Sequence, residues 1–242
     1  MISSGFEAAY KAPTDSELLS WQLSIPELVS ALHATKFDQL QVILELAMPI
    51  GLARADVVLL GGSPNKPVAL VIELKQWSHI SIIPDTYEVE VPGIDIHQHP
   101  SLQALNYAGK LHFFNARAHN YEIHASAFLH NATRTEKVKL TFGPAKEWSQ
   151  GAPIFTQQDY VSLADYVSSL LLPCNIKTDE HIELSQSRYD QSQHLFTFLQ
   201  EHAEDIARST EIAIANRGMG LTTQQDRLKN EVFISLSFRQ EN

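Results

Sequence analysis

A chain of 242 residues, 44% of them hydrophobic, can bury one sizeable core and leaves little room for several large domains. Lys and Arg number 18 against 28 Asp and Glu, and the resulting charge of −10 is shared evenly by the two halves, which disfavours the broad basic face of a stand-alone nucleic-acid binder. The lone Cys174 excludes an internal disulfide and a cysteine-built zinc site, and no run approaches the roughly 18 apolar residues that span a bilayer, so a cytoplasmic protein without membrane contact is expected.

Residues 15–34 place Leu18, Trp21, Ile25, Leu28 and Leu32 at alternating steps of three and four. That spacing predicts one apolar helical face, interrupted at Pro26, with Asp15 or Ser16 as its cap and Glu17 in its first turn. Residues 41–50 (QVILELAMPI), the run ADVVLLG from Ala55 and residues 67–77 (PVALVIELKQW) are aliphatic and β-branched, which predicts three strands. A turn near Pro49 and Gly51 joins the first two. A hairpin centred between Ile50 and Gly51 puts Glu45 opposite Asp56, with Cβ atoms roughly 4.5–5.5 Å apart. Two carboxylates that close repel unless a cation or a shared proton intervenes, and a slip of one residue would send them to opposite faces. The near-continuous apolar run of the third strand predicts a central place in the sheet. Glu73 and Lys75, two apart, share one face of it, and Leu74 points to the other.

Residues 78–98 mix polar, Pro and β-prone pieces and predict an irregular excursion or β-hairpin over the site. A helix is expected from about Pro100, with Gln103 and Tyr107 four apart on one face. Residues 121–131 predict a fourth strand, VKLTF at 138–142 a fifth, and the stretch after Ala152 a short strand and then a helix over 157–172. The basic stretch Arg134, Lys137, Lys139 and Lys146 is interleaved with Glu136 and Glu147 and is expected to be a solvated surface. A long amphipathic helix is expected over 187–216, ending at Gly218, followed by a helix start and a short strand in the tail.

Ionised groups on a largely buried strand are costly unless paired or bound to metal. Asp56 and Glu73 on adjacent strands supply the one or two carboxylates that Mg²⁺ or Mn²⁺ takes while keeping several waters. A lysine two residues after the second acid lies where it can stabilise charge developing on phosphate or lower the pKa of an attacking water. A salt-bridged Glu73–Lys75 pair with a purely structural role is the alternative. His97 and His99 form an H-x-H pair that is more readily a chance spacing than a metal site, and Trp21 and Trp77 are expected in the core.

The run D-V-V-L-L-G followed by V-I-E-L-K-Q-W resembles the D…(D/E)-x-K signature of the PD-(D/E)XK nuclease superfamily. Gln103-Ala-Leu-Asn-Tyr107 resembles the Q-x-x-x-Y motif of its RecB-like exonuclease branch, and Glu17, ahead of Ser20-Trp21, matches the helix-borne acid of the superfamily. E-x-x-S-W, R-x-D, E-L-K-Q-W and H-P-S-x-Q-A-x-x-Y together resemble the nuclease-like N-terminal region of bacterial Schlafen-like P-loop ATPase/helicase proteins, over about residues 15–130. The chain departs from those proteins in having no G-x-x-x-x-G-K-[ST].

The resemblance implies an α/β, restriction-endonuclease-like core of helix, three-stranded antiparallel meander, helix and strand. It would occupy residues 1–175, with residues 176–242 as a helical extension packed on the same domain. It implies Mg²⁺ or Mn²⁺ on Asp56, Glu73 and the Leu74 carbonyl, a catalytic Lys75, and Gln103 and Tyr107 steadying the site or substrate. Glu17 would be an outer acid acting through water, and Glu45 joins the metal group through the hairpin register. The implied function is metal-dependent hydrolysis of phosphodiester bonds, in DNA ahead of RNA, in genome defence or DNA repair. A homodimer and a P-loop ATPase/helicase, as partner or missing C-terminal half, belong to the same expectation. The alternative is a non-catalytic nuclease-fold module that binds nucleic acid or a partner ATPase.

Overall fold

The computed structural model describes residues 13–33, 40–48, 53–83, 86, 88–93, 95–143 and 145–189. The turn at Pro49 and Gly51, the tail strand and nearly all of the helix expected over 187–216 lie outside the described residues.

The described residues open with α1 (Asp15–Leu32), β1 (Gln41–Ala47), β2 (Arg54–Ser63) and β3 (Lys66–Lys75). The cap of α1 is Thr14 rather than Asp15 or Ser16. Thr14 Oγ1 accepts from the Glu17 amide at 3.3 Å, and the Glu17 carboxylate accepts from the Thr14 amide at 2.8 Å. This reciprocal box satisfies two orphan donors and is spelled by the spacing of Thr14 and Glu17. Pro26 lies inside the helix, which runs on past it.

β1 and β2 pair in the expected register, with Gln41 opposite Leu60, Leu44 opposite Val57 and Leu46 opposite Ala55. β3 pairs antiparallel with β2 and parallel with β7 (Glu122–Leu129), which in turn pairs parallel with β8 (Ile154–Thr156). The result is a mixed five-stranded sheet in the order β1-β2-β3-β7-β8. The parallel step from β3 to β7 needs a crossover, and α2 (Pro100–Phe114) supplies it with Pro100 in its first turn.

Period-two alternation gives the sheet two apolar faces. Val58, Leu60, Val71 and Ala125 pack with Leu102, Leu105 and Leu111 of α2. Val57, Leu59, Leu70, Ile72 and Phe128 pack with Leu28 and Leu32 of α1 and with Leu163, Val167 and Leu171 of α5 (Tyr160–Leu171). Helices thus cover both faces. A Cβ on Gly61 would lie 2.4 Å from the Leu171 carbonyl oxygen, so β2 and the end of α5 meet this closely only because that residue is glycine.

The excursion after β3 is more regular than expected. β4 (Ser81–Ile82), β5 (Glu88–Val91) and β6 (Asp95–Gln98) form a separate three-stranded antiparallel sheet. Its inner residues, with Trp77 and Ile80, share a third cluster with Ala127, Leu129, Leu140 and Ile154. The expected strand at 138–142 is instead part of α3 (Arg134–Thr141). Lys139 Nζ meets Glu136 at 2.9 Å, a three-residue pairing that a helix permits and a strand, with its alternating faces, forbids. Buried Glu136 also accepts from the Ile80 amide at 2.9 Å, tying α3 to the small sheet. Two further helices, α4 (Ala145–Gly151) and α6 (Glu180–Ser185), are too short to show a period, and a 3-10 turn spans Ala118–Asn120.

Candidate active site

Asp56 and Glu73 face each other where the β2–β3 ladder ends, one step beyond the pairing of Val57 with Ile72. Both project to the face covered by α2. Asp56 Oδ2 accepts from the Leu74 amide at 2.8 Å, which locks the first carboxylate to the strand carrying the second. Glu73 is 1% exposed; its Oε1 accepts from Lys75 Nζ at 2.6 Å, and its Oε2 has no hydrogen-bond partner.

The electrostatics follow from that packing. Burial pushes the Asp56 carboxyl well above the usual carboxylate range, and the Glu73 charge beside it pushes the same way. Burial also raises Glu73, and Lys75 only partly opposes the rise. For Lys75, burial alone would lower the ammonium pKa, but Glu73 and Asp56 outweigh it and the net shift is upward. Lys75 is therefore a fixed positive charge, and its Nζ also lies 5.2 Å from the centroid of the Trp77 ring.

α2 brings Gln103 and Tyr107 to the same face, with Gln103 Nε2 donating to the Tyr107 hydroxyl at 3.0 Å. Burial first and the Glu73 charge second push the Tyr107 phenol far up, so it stays a neutral hydroxyl. Asn106, on the same side of α2, donates to Gln98 Oε1 of β6 at 3.3 Å and joins the helix to the small sheet.

The two outer acids are placed differently from the inner pair. The Glu17 carboxylate is taken up by Thr14 and by Arg54 Nη2. Glu45 occupies the register position across from Asp56, but its φ of 55° takes its own backbone out of the ladder. Its carboxylate accepts from Trp21 Nε1 at 2.7 Å and from Arg54 Nε at 2.8 Å. Arg54 is the residue that sequence reasoning missed. Its signal was available, since Arg54 and Asp56 stand two apart on one strand and so share a face.

Among the described residues no three or more His, Cys, Asp or Glu side chains converge on a point that would hold a metal ion. The inner pair still suits a hard cation that keeps most of its waters: two carboxylates, a Glu73 oxygen without a donor, and pKa values raised chiefly by burial. His97 and His99 turn to separate partners, His97 to the Trp77 ring at 5.3 Å and His99 to the Leu140 carbonyl at 3.0 Å. Burial holds His99 down at about 4. Trp21 and Trp77 are core residues, 9% and 4% exposed, which leaves neither ring free as a stacking platform. Within the basic stretch, Lys137 pairs with Asp159 and Lys139 with Glu136.

No family model, no curated protein and no solved structure matches this chain.

Proposed function

We propose that the chain is a metal-dependent nuclease of the PD-(D/E)XK type, with a restriction-endonuclease-like core, that hydrolyses nucleic-acid phosphodiester bonds with Mg²⁺ or Mn²⁺. The observation that carries this reading is the buried Glu73 Oε2, which no amide, hydroxyl or cationic side chain meets and whose carboxylate has a second carboxyl, Asp56, beside it. A purely structural Glu73–Lys75 pair would satisfy both carboxylate oxygens.

Asp56 and Glu73, with the Leu74 carbonyl, are the groups that would hold the cation. The bound metal supplies Lewis-acid polarisation of the phosphoryl group and a lowered pKa for the attacking water. Lys75, kept protonated by its two acidic neighbours, stabilises negative charge that develops on the phosphoryl oxygens. Glu73 aims that ammonium through the 2.6 Å contact, and Trp77 limits its swing. Gln103 and the neutral Tyr107 hydroxyl form a donor pair that orients phosphate or water beside the acids.

The test is cleavage of single- and double-stranded DNA and RNA under Mg²⁺ and under Mn²⁺ by the wild type, Glu73→Ala and Lys75→Ala. Each variant is expected to lose at least about 100-fold in rate, the size of one preorganised electrostatic contact. A wild type indistinguishable from both variants on every substrate ends the catalytic reading.

A further inference from the structure

Four carboxylates border the site, and what their oxygens already hold divides them into two classes. Glu17 and Glu45 are saturated. Glu17 receives the Thr14 amide and hydroxyl on one oxygen and Arg54 Nη2 on the other. Glu45 receives Trp21 Nε1 on Oε1 and Arg54 Nε on Oε2. Glu73, by contrast, keeps one oxygen bare in the interior.

The chain pays for the Glu45 arrangement. A residue with a Cβ is sterically strained in the left-handed region. Glu45 sits there at φ 55°, while Leu44 and Leu46 on either side keep their partners in the ladder. Its contacts with Trp21 and Arg54 offset that cost, and both Glu45 and Glu17 are thereby held to a single guanidinium.

We infer that Arg54 is a positioning residue that sets the cation stoichiometry of the site: it stands as a built-in second positive charge and withholds Glu17 and Glu45 from coordination, so Asp56 and Glu73 take one divalent ion. The inference rests on the reading that those two acids bind a cation. The contacts agree with it: one guanidinium holds both Glu17 and Glu45, while Lys75 reaches only one oxygen of Glu73. Loss of the guanidinium removes the cation that Glu17 and Glu45 share and leaves an oxygen on each that Arg54 had occupied, the setting in which a second divalent ion binds.

The experiment is calorimetric titration of Mn²⁺ into the EDTA-stripped full chain, for the wild type, Arg54→Ala and Glu45→Gln, with folding checked by circular dichroism. The wild type is expected to bind one equivalent and Arg54→Ala two. Glu45→Gln is expected to bind one, with affinity changed less than about fivefold, the reach of a screened neighbouring charge. Two equivalents in the wild type, or a folded Arg54→Ala that still binds one, overturns the role of Arg54 and leaves the nuclease reading standing. So does a loss beyond about tenfold in Glu45→Gln, the size expected when a residue supports the metal directly; that variant decides the matter even if Arg54→Ala does not fold. No binding at all by the wild type overturns the cation reading and this inference together.

Discussion

Two buried acids at different places in the molecule are built in opposite ways. Glu180, 7% exposed on α6, accepts from Arg117 Nη2 at 2.6 Å, Arg117 Nε at 3.1 Å and the Tyr121 hydroxyl at 2.7 Å. Burial pushes its carboxyl up, but Arg117 and Tyr121 outweigh that and hold it below the usual range. Glu73 is buried as deeply, has one lysine on one oxygen, and is pushed up. Both acids have a cationic neighbour, so the presence of an ion pair does not separate structure from chemistry. The number of satisfied oxygens does, because a fully bonded carboxylate is stable as it stands and a half-bonded one needs a further positive partner.

The sharpest break in that comparison is a divalent cation. Mg²⁺ or Mn²⁺ at about 100 times its dissociation constant should raise stability by roughly 2.7 kcal/mol. Thermal melts should show the rise in the wild type and none in Glu73→Ala. Removing the satisfied acid gives the converse result. Glu180→Ala strands the Tyr121 hydroxyl and leaves Arg117 with Glu183 as its remaining carboxylate, and it should cost about 2 kcal/mol in urea denaturation. Its Mn²⁺ isotherm should match the wild type, and a change there would join the two regions that the comparison separates.

The smallest effect lies in the pH dependence, where the sign matters more than the size. Glu180 has a lowered folded pKa, so its stabilisation is present above the unfolded carboxylate range and fades as pH falls through the folded value. Asp56 and Glu73 have raised folded pKa values, so the cation-free protein loses stability as pH rises from the unfolded range through the folded values. Denaturation midpoints in EDTA from about pH 4 to pH 8 should therefore fall more steeply for the wild type than for Asp56→Asn. Parallel curves would mean that the pair is not destabilised by its own charge.

Much of this contrast was legible in the sequence. Apolar periodicity in α1 and the three aliphatic runs gave the meander, and the short span between β1 and β2 fixed a register in which Glu45 and Asp56 are neighbours. The Glu73–Lys75 spacing placed both groups on one face, and Pro100 marked the start of the helix that carries Gln103 and Tyr107. Other features depend on tertiary contacts that local pattern does not encode. VKLTF has strong strand propensity, yet its helix is selected by the Glu136 contact with the Ile80 amide, between residues 56 apart in the chain. Glu45 was expected to join the metal group, but its carboxylate direction depends on a backbone angle and on Trp21 and Arg54, which lie in different elements. α4 and α6 are too short to show any period.

The central place of β3 has a consequence for how the protein can adapt. Strand neighbours on both sides and helices over both faces make its backbone the kind that exchanges amide hydrogens only in the largest openings of a protein. Glu73 and Lys75 stand at the end of that strand, and Asp56 is bonded to its Leu74 amide. The charged centre therefore cannot reshape itself to suit a ligand. Accommodation falls to the groups approaching from outside the sheet, the side chains of α2 and the three short strands beside them, so in the proposed nuclease the reacting charges and the groups that select a ligand would lie in parts of the fold with different local stability.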